Sequence, residues 1–349
     1  MNGFRTLVLL INVVFLVSCS EGDNSPIILD SIGAKDEVLI VADEVYLNTF
    51  LRKDTESRFM SAFDVLPQGE LKLNATFLPF KHFAKNFKRY RVIYLFADLS
   101  NKSDISEFVA NSLGEEKLVQ ALSDNDFFMV QQENAWAKPQ KVFLVFAQSK
   151  QALQQLIKQK GDYLAEKALD YYVEAYGEEA FALGKNKYAT DVLMKKYNIN
   201  FMVPKGFELV ESNDSVFWLR LPTNEGSENI LGLVRQTDSI EIENKGIAYR
   251  DIIGKQYVST QKEGTFMATD SVLNILSKPI KINSLQGYVN RGLWQMENEF
   301  MGGPFVNYYL MDFEHKREIM IDAFVYAPGD KKKPHIRRLE AIAHQLKAN

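Results

Sequence analysis

A chain of 349 residues with a formal net charge of −4 has room for two domains, and its mild acidity argues against nucleic acid as a partner. The single cysteine excludes a disulfide framework, and the four histidines show no HExxH or i, i+4 pair, so a structural zinc site is not expected. Hydrophobic content of 46% and aromatic content of 12% are enough to fill cores without covalent staples.

The chain starts MNGFRTLVLLINVVFLVSCSEGDN. Arg5 precedes an apolar run from Leu7 to Val17 that only Asn12 interrupts. At about 11 residues the run is too short for a bilayer, which takes about 20, and has the length of a signal-peptide h-region. Leu16-Val17-Ser18-Cys19 follows the lipobox order of an aliphatic residue, small residues and cysteine. This resembles bacterial lipoproteins, and the resemblance implies cleavage before Cys19 and a diacylglyceryl group on its sulfur. Two or three acyl chains, at about 0.8 kcal/mol per buried methylene, make a stable anchor. Residues 1–18 are then a signal peptide and 19–33, with Gly22, Asn24, Ser25 and Pro26, a flexible tether. The address implied is the cell envelope, at the outer membrane. No later run approaches 18 apolar residues.

DEVLIVAD (36–43) predicts a buried strand, with helix following to Phe50 and again near 58–63. LPQGE (66–70) is a break, and 73–90 is a basic, aromatic stretch with a short helix. RVIYLFAD (91–98) predicts a second buried strand and DISEFVANSLG (104–114) a helix closed by Gly114. NDFFMVQQ (125–132) and KVFLVFAQ (141–148) form a strand pair about a turn at Ala137–Pro139. A long helix then runs from Ser149, its stripe being Leu153, Ile157, Leu164, Ala168, Tyr172 and Tyr176, with Gly161 as a weak point. The pattern changes over 184–197, which sets domains at 34–185 and 186–349. In the second, strands fall at 198–212 in two pieces about a Pro/Gly turn, at 215–222 and at 228–237, a helix at 247–262, and four strands near 280–290, 291–300, 304–313 and 317–326. A last helix opens at Pro334 and buries Ile336, Leu339, Ala343 and Leu346. Both halves end in a buried strand followed by a helix, an echo that suggests two related α+β sandwiches.

RGLWQMENEFMGGPFVNYYLMD (291–312), AFVYAPGDKKK (323–333) and IRRLEAI (336–342) resemble a family of Bacteroidota lipoproteins carrying a domain of unknown function, number 4837. DEVLIVAD, LPQGE and the lipobox fit the same pattern, so the resemblance spans most of the mature chain. It departs after DEVLIVAD, where YLNTFLRKD replaces a Trp/Gly-rich turn. It implies no activity. VPKGFELV with the aromatic strand behind it is also similar to the small α/β sandwich of PsbP- and Mog1-like proteins, which are mostly assembly and partner-binding domains.

The sharpest local feature is MGGPF (301–305). It predicts a turn with positive φ at Gly302 or Gly303, between strands ending near Phe300 and starting near Phe305; the alternative is a backbone nest for an anion. Trp294, Met296 and Phe300 share one strand face, and Gln295, Glu297 and Glu299 the other. Arg291 is placed to meet a carboxylate, from a ligand or from the chain. Lys331, Lys332, Lys333, Arg337 and Arg338 crowd one helix start, where cations oppose the macrodipole, which points to an acidic partner or anionic headgroups. KHFAKNFKRYR (81–91) is a second basic, aromatic patch, better suited to stacking on a glycan than to nucleic acid in an exported protein. There is no GxSxG, no phosphate loop ending in Lys-Ser or Lys-Thr, and no cofactor motif. These observations lead to an exported, lipid-anchored protein of two α+β domains with mixed or antiparallel sheets. Its role is binding or scaffolding at the membrane surface, with an envelope protein or glycan as partner. The alternative is an envelope hydrolase acting on glycan or peptide through acidic residues.

Overall fold

The computed structural model describes residues 28–84, 86–124, 126–238 and 242–348. Cys19, and with it the signal peptide and lipobox, lies outside the described residues. The architecture is α+β, its strands divided between two principal sheets.

The N-terminal unit runs β1 (Leu29–Asp30), β2 (Glu37–Ala42), α1 (Glu44–Tyr46), a π-helical stretch at Leu47–Leu51, α2 (Arg52–Phe59), β3 (Asn74–Pro79), β4 (Val92–Asp98), α3 (Asp104–Ser123), β5 (Met129–Glu133), β6 (Ala137–Lys138), β7 (Lys141–Ala147) and α4 (Lys150–Ala180). Its sheet has the order β3-β2-β4-β7-β5, parallel except for the edge strand β5. The central strands are unbroken apolar runs because both faces are covered. Val38, Ile40, Tyr94 and Phe96 meet α2 and α4, whereas Leu39, Val41, Ile93 and Leu95 meet α3. The unit therefore has three layers, with helices on both faces of its sheet.

All six expected stripe residues of α4 are buried, and Ser149 caps the helix by accepting from the Ala152 N–H. Gly161 does not weaken it. A Cβ there would come within 2.8 Å of Arg58 Cγ, so the glycine lets α2 lie against α4. α3 does not stop at Gly114; it kinks there, at φ 75°, and resumes to Ser123. The tether is also shorter than its composition suggests. β1 pairs with β6, the Ile32 N–H donates to Arg89 O (2.8 Å), and the Arg89 guanidinium donates twice to Asp30 O. Order therefore begins by Leu29, held by backbone bonds that polar composition does not reveal.

The C-terminal unit runs α5 (Lys187–Tyr197), β8 (Ile199–Asn200), β9 (Glu208–Ser212), β10 (Val216–Pro222), β11 (Ser227–Gln236), α6 (Gly246–Tyr257), β12 (Phe266–Asp270), β13 (Leu276–Ile282), β14 (Leu285–Glu297), β15 (Gly302–Asp312), β16 (Arg317–Tyr326), α7 (Lys333–Ala343) and β17 (Lys347–Ala348). The large sheet is antiparallel in the order β12-β14-β15-β16-β11-β10-β9, with β13 beside β12 on the same edge of β14. α5 and α7 cover one face and α6 the other. β14 is a single strand across the expected break at 290/291; the reversal comes earlier, at Asn283 with φ 54°, a conformation asparagine tolerates. With one sheet largely parallel and the other antiparallel, the strand–helix echo between the halves is local and not a sign of related domains.

The units interlock through α4 and α7. Phe63 of the first lies in the core of the second, and Ala341 of α7 lies in the core of the first. Glu70, from the LPQGE break, accepts from the Lys332 N–H (2.8 Å) and the Lys333 N–H (3.2 Å), occupying the α7 N-terminus. Lys333 reaches buried Asp36 at 3.2 Å, and Tyr176 of α4 donates to the same carboxylate oxygen.

Candidate functional site

Adjacent parallel strands whose connections leave toward opposite faces open a crevice at their carboxyl ends. β2 and β4 are such a pair: β2 leads into α2 on one face, and β4 into α3 on the other. A crevice of about 450 Å³ lies there, lined by Asp43, Glu44, Tyr46, Phe80, Lys81, Asn101, Ser103 and Asp104 among others. An aspartate stands at each strand end, Asp43 directly after β2 and Asp98 as the last residue of β4. Asp43 Oδ2 accepts from Ser103 Oγ at 2.8 Å and from Asn101 Nδ2 at 3.3 Å, fixing the wall. Asp98 is 3% exposed; its Oδ2 accepts from the Tyr46 hydroxyl (2.8 Å), and its Oδ1 accepts from Ser100 N and Oγ (2.9 and 2.8 Å). It thus holds the aromatic ring and the loop after β4 in place.

Lys81 pairs with Glu44 at the exposed rim, and hydrogen bonding to that ammonium holds the Glu44 carboxyl below its usual range. Burial, with Asp98 beside it, pushes the Tyr46 hydroxyl far up. Both shifts lead away from neutral pH, so neither group is a proton shuttle there. Three lining carboxylates against one ammonium make the crevice hostile to phosphate. Carboxylate acceptors, hydroxyl and amide groups and two aromatic rings suit an uncharged, hydroxyl-rich ligand. Among the described residues no three His, Cys, Asp or Glu side chains converge as a metal cage.

The residues singled out from sequence lie elsewhere. Arg291 and Arg337 come together on buried Glu340, Arg337 Nη1 standing 3.2 Å from Oε2 and Arg291 on Oε1. Burial raises the Glu340 carboxyl pKa, but the two guanidiniums outweigh that and hold it low. Arg338 pairs with buried Glu228 at 2.6 Å, sharing that oxygen with His335. Trp294 is 2% exposed and donates to Val325 O at 3.0 Å, so it offers no ligand face. Phe300, expected on the same strand face, is fully exposed at the tip of the following turn.

The MGGPF expectation is overturned. Gly302 and Gly303 open β15, paired with Gln295 and Trp294, and neither has a positive φ. The turn sits earlier, at Asn298 with φ 61°. Glycine is needed for close approach instead: a Cβ on Gly303 would fall 2.1 Å from Val325 O, and one on Gly302 would fall 2.7 Å from Trp294 O. Several residues of the basic patches are engaged within the fold. Lys88 lies over the Phe83 and Trp136 rings, Arg89 and Arg91 donate to Asp30 O and Gly33 O, and Lys333 joins the units.

Among curated proteins no relative matches. Solved structures give loose likenesses. The Ran-binding protein Mog1p of Saccharomyces cerevisiae has 11% identity and a TM-score of 0.30, with 43% of this chain and 89% of that chain covered. A Bacteroides thetaiotaomicron protein has 12% identity and a TM-score of 0.24, with 43% and 45% covered. The lipid transfer and protein localization domain of human StarD13 has 10% identity and a TM-score of 0.20, with 42% and 91% covered. At these scores nothing about function follows. Family profiles are more direct, and they divide what the sequence joined: residues 31–180, which carry DEVLIVAD and LPQGE, match a separate domain of unknown function, DUF8532. Residues 186–345, which carry the RGLWQMENEF, MGGPF and FVYAPG motifs, match the model of another domain of unknown function, DUF4837, the family the sequence resembled.

Proposed function

We propose that this is an envelope lipoprotein, anchored through acyl chains on Cys19, that binds a hydroxyl-rich ligand of the glycan class in the crevice between β2 and β4 without turning it over. The observation that carries the reading is the crevice itself, at the switch point of the parallel sheet, with Asp43 and Ser103 fixed on its wall and Tyr46 and Phe80 beside them. The anchor reading rests on the Leu16–Cys19 lipobox.

Two measurements test the two parts. Saturation-transfer NMR with neutral oligosaccharides should show contact with the protein, and Asp43→Ala should weaken it at least tenfold. Equal transfer in the variant, or none in the wild type, would sink the ligand reading, while sugar cleavage would establish a hydrolase. Cys19→Ala should abolish acylation and leave the protein uncleaved or mislocalised; acyl labelling and detergent phase partitioning like those of wild type would reject the anchor.

A further inference from the structure

A second opening lies between the two units and is independent of the crevice. The N-terminal unit contributes Arg58 and Lys72 to its walls, and the C-terminal unit contributes Lys278, Arg291 and Arg337, around a volume of about 500 Å³. Asp64, Asp162 and Glu166 also line it. Arg58 pairs with Asp162 at 2.8 Å and Lys72 with Asp64 at 3.2 Å. Arg291 and Arg337 share one carboxylate, Glu340. Five cations against four carboxylates (Asp64, Asp162, Glu166 and Glu340) leave an excess of one positive charge, with two guanidiniums, Arg291 and Arg337, on the single carboxylate Glu340.

The second observation is an unmade bond. Arg337 is 6% exposed, yet its Nε has no hydrogen-bond partner. A buried donor left bare is costly, and a charged one more so. The guanidinium stands over the Phe63 ring, 4.6 Å from its centroid, a contact that fixes its plane without satisfying its N–H. Phe63 comes from the N-terminal unit, so both units are needed to set the fork. We propose that the inter-unit cleft binds an oxyanion, a carboxylate or phosphate group of a small ligand, with Arg337 and Arg291 as donors and Lys278 at the mouth. A planar fork matches both anions, and a cleft between units is a common place for such a ligand.

The test titrates the full-length protein by isothermal calorimetry and by amide NMR, at constant ionic strength in chloride. The probes are inorganic phosphate, succinate, and dihexanoyl phosphatidic acid below its micelle concentration. Phosphate or succinate binding assigns a soluble ligand, and response to the lipid alone assigns a headgroup. At least one probe should shift amides at 289–291 and 336–338. Arg337→Lys, which keeps the charge but loses the planar guanidinium fork, should weaken binding at least tenfold. Lys278→Ala, at the mouth, should weaken it severalfold and serves if the Arg337 variant does not fold. Binding of none of the probes, or unchanged affinity in both variants, would overturn the proposal. The crevice reading is untouched by either result, because it is tested with neutral sugars and Asp43.

Discussion

Glu340→Gln is the most informative single change in the protein. The substitution keeps size and shape but removes the one carboxylate that Arg291 and Arg337 share, in a site where the glutamate is 2% exposed. Breaking a buried ion pair from one side costs about 3–5 kcal/mol, because the surviving charges stay desolvated. For a protein with units of this size, 1 kcal/mol moves Tm by about 2–4 °C, so the loss should be about 6–20 °C. Near-UV circular dichroism during thermal unfolding at pH 7 and low salt would read it. The wild type adds a pH signature. Its Glu340 carboxyl lies below the ordinary glutamate value of 4.5 in the folded state, so its contribution is complete above that pH and is lost as pH falls through the folded value. Glu340→Gln should therefore flatten the acid limb of the stability curve. A Tm drop under about 2 °C, with an unchanged acid limb, would show that the arginines do not depend on this carboxylate.

Two further outcomes follow from neighbouring features. Gly303→Val should cost about 1–3 kcal/mol by overpacking, since even a Cβ meets Val325 O, and should alter the near-UV signal of Trp294; an unchanged denaturation midpoint would contradict the close-approach argument. His335 is raised above its ordinary 6.5 by its hydrogen bond to Glu228, so it stabilises the fold below that pH and the contribution disappears as pH rises through the folded value. A ring titration by NMR at or below 6.5 would refute that pairing.

What the sequence disclosed is what local pattern encodes. The apolar runs of DEVLIVAD, RVIYLFAD and KVFLVFAQ mark the central strands, and the four-residue spacing from Leu153 to Tyr176 marks α4. The strand β3 escaped notice because NATFLP lies at a sheet edge, without a buried alternation, inside a basic stretch. Helix α5 was hidden in the region taken as a boundary, although Ala189, Leu193 and Tyr197 stand at i, i+4 and i+8. Charge was the least legible property. Arg291, Arg337, Arg338 and Lys333 looked available for partners, but Glu228 and Asp36 reach Arg338 and Lys333 from distant segments, and Glu340, one turn along the helix from Arg337, reaches Arg291 only through the tertiary fold. The crevice did leave a trace, the aspartate closing each of two parallel strands at Asp43 and Asp98. Its meaning depends on knowing that those strands are neighbours.

Under the proposed anchor at Cys19, the point where the described chain begins bears on which side of the body faces the membrane. Ile32 is bonded beside Arg89 and Tyr90, just ahead of β4, so the leash joins the body at the amino-terminal pole of the parallel sheet. With Cys19 acylated, ten Cα–Cα steps lead from it to Leu29, a span of at most about 36 Å when fully stretched. The crevice opens at the opposite pole, beyond Ala42 and Asp98, one strand length of about 23 Å further out. An anchor on the leading segment would therefore attach to the pole of the parallel sheet opposite the crevice, leaving the crevice on the far side of the body from the attachment point.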